Sequence, residues 1–218
     1  RASGGDLDIE TIERPIEAAL LALFRGLAES DGFNKLVIEA GLGWRDVAMI
    51  RALARYLRQA RIAYAQDYIA DTLARNGPIA EMITDHFYAR FDPRAAQKRD
   101  PEEAQAKTRE KIEEALAEVA SLDDDRILRR FVNLIDAALR TNYFQIGEDG
   151  HPRSTIAFKF DCARIEALPL PRPLYEIFVY SPRVEGVHLR FGFVARGGLR
   201  WSDRPEDFRT EILGLVKA

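Results

Sequence analysis

Arg196, Gly197, Gly198 and Arg200 stand close together in the stretch VARGGLRWSDRPEDF, Val194 to Phe208. Glycine has no Cβ, so it accepts positive φ and lets backbone N–H groups approach a small anion closely. A guanidinium beside exposed amides suits a carboxylate, which takes two parallel N–H···O bonds from arginine and further bonds from the backbone. A small carboxylic acid is the ligand to which this chemistry points. The same residues also fit a Gly-Gly turn whose arginines pair with Glu185, Asp203, Glu206 or Asp207. Spacing alone leaves both readings open.

The stretch falls where a strand region gives way to a helix. Asp203 with Glu206 three residues later has the capping-box pattern, and Pro205 suits a helix's first turn. It is not a dinucleotide fingerprint, because GFVARGGLR lacks G-x-G-x-x-G and no βαβ unit with a later acid surrounds it. No phosphate-binding loop and no Ser/Cys/His nucleophile arrangement occurs elsewhere, so no catalytic residue is assigned.

The elements that must hold this stretch divide into two kinds. From Ile9 to about Gly147 apolar residues recur at helical spacing, with Gly and Pro only where one helix hands over to the next. The first helix places Ile12, Ile16, Leu20, Leu23, Phe24 and Leu27 on one face, and ESDGFN breaks it. Short helix follows from Phe33 to Ala40. Trp44 to Ile62 sets Val47, Ile50, Leu53, Ala54 and Leu57 against Arg45, Arg51, Arg55, Arg58 and Arg61, which reads as a solvated arginine face or, less readily, a nucleic-acid surface. Helices over Gln66 to Arg75 and Pro78 to Phe91 are closed by NGP and DP. His86 lies in the second and reads as a packed or surface residue rather than a catalytic one, with no acid or nucleophile expected to be placed beside it. RDPEEAQAKTREKIEEALAEVASL predicts a long, largely exposed helix with a narrow stripe of Ile112, Leu116 and Val119, with a coiled-coil partner as an alternative. The last long helix starts at DDD, where acids suit a helix N-terminus, and carries Ile127 through Leu139 inward as the central packing helix.

After GEDGHPR the period changes. STIAFKF, LYEIFVY and VEGVHLRFGFV are β-branched or aromatic, and the last alternates Val187, Leu189 and Phe191 against His188 and Arg190. LPLPRPL separates the first two strands, and SPRVEG joins the second and third as an antiparallel hairpin. The expected fold class is α+β: an all-α N-terminal region over 1–146, then a small, mostly antiparallel sheet with a C-terminal helix over 147–218, an incomplete α/β substrate domain.

Composition narrows the function. With 31% charged residues, 47% hydrophobic residues and a net charge of −3 over 218 residues, this is an ordinary globular chain and a poor candidate for binding nucleic acid. The single cysteine, Cys162, excludes an internal disulfide framework and fits a reducing, intracellular compartment. His86, His151 and His188 are too scattered for metal spacing, so no metal is expected. No apolar run approaches the roughly 20 residues of a membrane span, so no membrane partner is expected. The chain begins without Met and closes on the apolar-periodic DFRTEILGLVKA with no stop signal, as an excised piece of a longer polypeptide would.

GVHLRFGFVARGGLRWSDRPEDFRTEILGLVKA resembles the start of the catalytic region in the large-subunit class of NAD-specific glutamate dehydrogenases. Upstream, DGFNKLVIEAGLGWRDVAMIRALARYLRQ and HFYARFDP resemble the helical region that precedes it. The resemblance implies a parent enzyme that oxidises L-glutamate to 2-oxoglutarate and ammonia with NAD, in the cytoplasm and as a homo-oligomer. In the wider family the matching segment reads Lys-Gly-Gly-Leu/Ile-Arg and contacts a substrate carboxylate. Carried over, those residues are Arg196, Gly197 and Gly198, with arginine standing where relatives have lysine. The catalytic lysine and the NAD-binding domain are implied to lie downstream, and Lys217 is neither of the family's lysines. The helical part could alternatively be a non-catalytic interaction or regulatory module for assembly or effector binding.

Overall fold

The computed structural model describes residues 9–61, 64–94, 100–166, 168–201 and 208–217. Helical spacing is realised as α1 (Ile9–Phe24), α2 (Leu36–Glu39), α3 (Trp44–Gln59), α4 (Gln66–Arg75), α5 (Gly77–Phe91), α6 (Pro101–Ala117) and α7 (Leu122–Ala137). Local chemistry sets many of the starts. Asp31 caps a 3-10 turn ahead of α2, Asp100 caps α6 with Pro101 in its first turn, and Ser121 caps α7, whose first turn holds three aspartates. α6 buries Ile112 and Leu116, as its narrow stripe predicts, and packs on α5.

The sheet has order β1-β2-β3-β4-β5 and is antiparallel throughout: β1 (Ala138–Thr141), β2 (Ile156–Asp161), β3 (Tyr175–Tyr180), β4 (Val184–Phe191) and β5 (Val194–Trp201). α8 (Phe208–Lys217) follows, so the α+β class is realised. The expected hairpin is β3–β4, in which Phe178 faces Val187. Alternation in β2 buries Ile156, Phe158 and Phe160 on the side of the sheet that the helices cover.

Four expectations need correction. α7 stops at Ala137, because Ala138 turns extended and pairs with Phe160, which satisfies its backbone in the ladder and leaves Leu139 exposed in β1. The sheet therefore begins before Gly147, and one core joins the helices to the sheet: Tyr56 of α3 stacks on Phe160 with ring centroids 4.5 Å apart. The apolar face of α1 is only partly used. Ala22 is buried, but Leu20, Leu21 and Leu27 are exposed and Phe24 is 87% exposed.

The arginines of α3 are the third correction, since they form neither a solvated face nor a nucleic-acid surface. α3 is covered on nearly every side, and Arg51 is fully buried. Its guanidinium meets Asp31 through two bonds of 2.7 Å and also donates to Asn34 Oδ1 at 2.8 Å. A bidentate carboxylate partner is what makes such burial tolerable. The fourth, the strand character of β5, is taken up below.

His86 is packed, but an acid does lie beside it. Its ring is 2.8 Å from Thr108 Oγ1 and 2.8 Å from Asp136 Oδ1, so it cross-braces α5, α6 and α7. Thr108 donates to carbonyls of its own helix, so the trio is a brace rather than a nucleophile relay. Burial works against the Asp136 carboxylate. The bond and charge of His86, with Arg109 and Arg90, outweigh it and hold the pKa below the ordinary carboxylate value. Cys162 is buried, and desolvation, with the charge of Glu176, pushes its thiol up to about 12, which keeps it protonated and unreactive. Among the described residues no helix is long and apolar enough to cross a membrane.

Candidate functional site

Arg196, Gly197 and Gly198 lie in the middle of β5, the last strand of the sheet. The Gly-Gly turn is therefore replaced by a strand, and neither glycine has positive φ. What each position requires is space. A Cβ on Gly197 would lie 2.9 Å from the Val187 carbonyl oxygen and 3.1 Å from the His188 ring, and one on Gly198 would lie 2.9 Å from Ile212 Cδ1 of α8. Bare backbone thus lets β5 lie flat on β4 and lets α8 close over it. The Asp203–Glu206 capping pattern and Pro205 lie outside the described residues.

Register fixes the faces. Arg196, Gly198 and Arg200 pair with Leu189, Val187 and Glu185, all buried, so they share the helix-covered face. Ala195, Gly197, Leu199 and Trp201 share the opposite face, where Leu199 and Trp201 are 73% and 67% exposed. Leu199 crosses Gly186, and a cleft of about 390 Å³ lies there between Ile177, Val179, His188 and Gly197.

The two arginines differ in environment. Arg200 lies with its guanidinium 4.5 Å from the centroid of the Phe208 ring, directly across from buried Glu185. Arg196 is exposed, and its Nη1 donates to the carbonyl of Ala195 at 3.0 Å. Of the arginine pairings that the sequence left open, Arg200 is the one placed across from Glu185 and Arg196 is exposed, while Asp203, Glu206 and Asp207 lie outside the described residues. Among the described residues no strand pairs with the far side of β5, so successive residues point their N–H alternately at β4 and at that edge. One of two consecutive glycines therefore offers an amide to that edge with no side chain to shield it. An edge amide beside an exposed guanidinium can take a carboxylate.

A scan of family models matches residues 111–218 to the catalytic domain of bacterial NAD-glutamate dehydrogenase. Residues 28–93 match helical motif 3 of glutamate dehydrogenase. The chain is 52% identical to the NAD-specific glutamate dehydrogenase of Pseudomonas aeruginosa over 218 residues, all of this chain and 14% of that protein. It is 50% identical to the enzyme of that name from Halomonas elongata over 98% of this chain, and 52% identical to that of Mycobacterium tuberculosis over 92%. The chain belongs to the NAD-specific glutamate dehydrogenase family. It spans 13% and 12% of the length of the latter two relatives, so it corresponds to a small part of each.

Within this glutamate dehydrogenase segment, β5 and α8 fall in the catalytic-domain match, whereas α2 through α5 fall in the helical-motif match. The two matched regions meet under the sheet in a layer of buried charge that the sequence reading did not assemble. Glu176 of β3 accepts from Arg209 Nε of α8 at 2.9 and 3.0 Å and from Tyr56 of α3 at 3.2 Å. Glu185 of β4 faces Arg55, Arg58 and Gln59 of α3. One signal was available: carrying the Val187, Leu189 alternation back by two residues places Glu185 on the inward face. The dinucleotide question also has a structural answer. The paired glycines sit inside an antiparallel strand, not between a parallel strand and a helix N-terminus, so they are not placed as a dinucleotide-binding turn is.

Proposed function

We propose that β5 forms one wall of a glutamate pocket in an NAD-dependent glutamate dehydrogenase. In this reading Arg196 and the backbone of Gly197 and Gly198 hold a carboxylate of L-glutamate or 2-oxoglutarate. The observation that carries it is the exposed Arg196 guanidinium beside a bare, edge-facing stretch of backbone. The parent polypeptide converts L-glutamate, NAD and water to 2-oxoglutarate, ammonia and NADH, as a cytoplasmic homo-oligomer. NAD and the groups that act on the reacting carbon belong to other parts of that polypeptide, and the segment alone has no turnover. What this segment contributes is binding and orientation of a charged end of the substrate.

Arg196→Ala in the full-length enzyme is expected to raise the glutamate KM about 10- to 100-fold, the range for a charge-assisted bond of about 1.5–3 kcal/mol. Arg196→Lys should recover part of the loss, since it keeps the charge without the bidentate fork. Steady-state kinetics in glutamate decide it. Unchanged KM and kcat/KM for Arg196→Ala would mean that the strand is only scaffold.

A second role, assembly through the helical part, is favoured by the exposed Leu20, Leu21 and Phe24 of α1. If α1 docks against another subunit, Phe24→Ser should weaken the oligomer without altering the fold. Sedimentation of the full-length protein reads this directly, and an unchanged oligomer excludes the α1 face as a contact.

A further inference from the structure

We propose that Glu185 is a positioning residue for the substrate strand, through which α3 of the helical region sets where β5 stands. The inference rests on the reading of β5 as a wall of the glutamate pocket.

Glu185 is fully buried in β4, where a lone carboxylate is costly. Desolvation pushes its pKa above the ordinary carboxylate value, against the pull of Arg55, Arg58 and Arg200. Two of those cations come from α3: Arg55 Nε at 4.0 Å and Arg58 Nη2 at 3.8 Å, with Gln59 Nε2 adding a bond of 3.4 Å. The third comes from β5, since Arg200 pairs in register with Glu185 on the same inner face. One carboxylate thus lies between the helical region on one side and the substrate strand on the other.

The distances matter. At 3.8 to 4.0 Å the arginines of α3 hold Glu185 by charge rather than through closed hydrogen bonds. Arg58 Nε and Nη2 are buried without a hydrogen-bond partner, and burial, together with the charges of Arg55 and Arg200, lowers the Arg58 pKa. Arg55 has a second acceptor, Glu29 Oε1 at 3.0 Å. Arg58 lies 3.8 Å from Glu185, with Glu29 adding a smaller attraction. Neutralising Glu185 removes a carboxylate that attracts all three arginines, while the repulsion of Arg58 by Arg55 and Arg200 remains. Because Arg200 belongs to β5, that repulsion bears on the strand. Arg196 is four residues along that strand on the same face, roughly 13 Å away at strand rise, so a shift of β5 is felt at the carboxylate site.

The test uses the full-length enzyme and four variants. Glu185→Gln keeps the shape and removes the charge, and it is expected to raise the glutamate KM about tenfold with a much smaller change in kcat, the pattern of a misplaced binding group. Glu185→Asp keeps the charge but draws it back from α3, and should give a smaller rise. Glu185→Gln combined with Arg58→Gln restores the charge balance and should bring KM back toward wild type, a coupling that a packing defect would not produce. Arg196→Ala is the control for the pocket reading. An unchanged KM in Glu185→Gln overturns the positioning role, whatever Arg196→Ala does. A KM rise that the double variant fails to relieve, with kcat and melting temperature falling in step, also overturns it, because Glu185 would then be structural only. If Glu185→Gln does not fold, Glu185→Asp decides by the same KM criterion. A silent Arg196→Ala beside a responsive Glu185→Gln would instead remove the assignment of Arg196 while leaving the positioning role in place.

Discussion

Glu176→Ala is expected to destabilise the chain by about 3–5 kcal/mol, the usual cost of leaving one partner of a buried ion pair uncompensated. Glu176 and Arg209 are both essentially inaccessible, and Arg209 Nε spans both oxygens of Glu176. Removing the carboxylate strands a guanidinium beneath the sheet and also deprives the Tyr56 hydroxyl of its acceptor. For a chain of this size the melting temperature should fall by roughly 10 °C. Replacing both partners by apolar residues, Glu176→Leu with Arg209→Met, should recover most of the loss, because no unpaired charge then remains buried. Urea unfolding of the three proteins decides it. An unchanged midpoint for Glu176→Ala would show that water reaches the pair. The pair also matters for the site, because Arg209 anchors α8, and α8 is the element whose Ile212 lies against Gly198.

Gly77→Ala should have the second large effect. Gly77 opens α5 where that helix meets the end of α2, and a Cβ there would lie 1.9 Å from the Glu39 carbonyl oxygen and 2.7 Å from its carbon. Backbone cannot rotate aside as a side chain can, so α5 must move off α2, and a cost of about 3 kcal/mol is expected, at the upper end of the range for overpacking. Gly41→Ala is the comparison. Gly41 has φ +62 and open space around its Cβ position, so alanine there meets only backbone strain of about 1–2 kcal/mol. Chemical unfolding of the two variants separates steric from conformational cost. Equal losses would mean that α5 shifts without resistance.

Much of this was legible in the residues themselves. Helix starts carry their caps and acids in the sequence, as at Asp100 and Ser121, and these act within a few residues of the chain. Alternation in Ile156, Phe158 and Phe160 is likewise local, so β2 could be read directly, as could the β3–β4 hairpin. The motif in β5 was found as chemistry and misread as conformation. In VARGGLRW the two central glycines interrupt the alternation of Ala195, Leu199 and Trp201 with Arg196 and Arg200, so the local strand signal is weak. Pairing with β4 over eight residues supplies what propensity lacks.

The buried arginines of α3 mark the other limit. Charge spacing on one helix predicts a solvated face because the cost of burying a guanidinium is known, whereas its compensation is not. That compensation comes from Asp31, Glu29 and Glu185, which lie 20, 26 and 127 to 130 residues from the arginines they meet. By itself, then, the sequence determined the helices, three of the five strands and the α+β class. Only the tertiary structure decided that β1 and β5 are strands, that Arg196 faces solvent while Arg200 lies across from Glu185, and that α3 meets the sheet through buried charge. The reason is that caps and alternation act over a few residues, whereas sheet register and ion pairing depend on partners that the fold alone brings together.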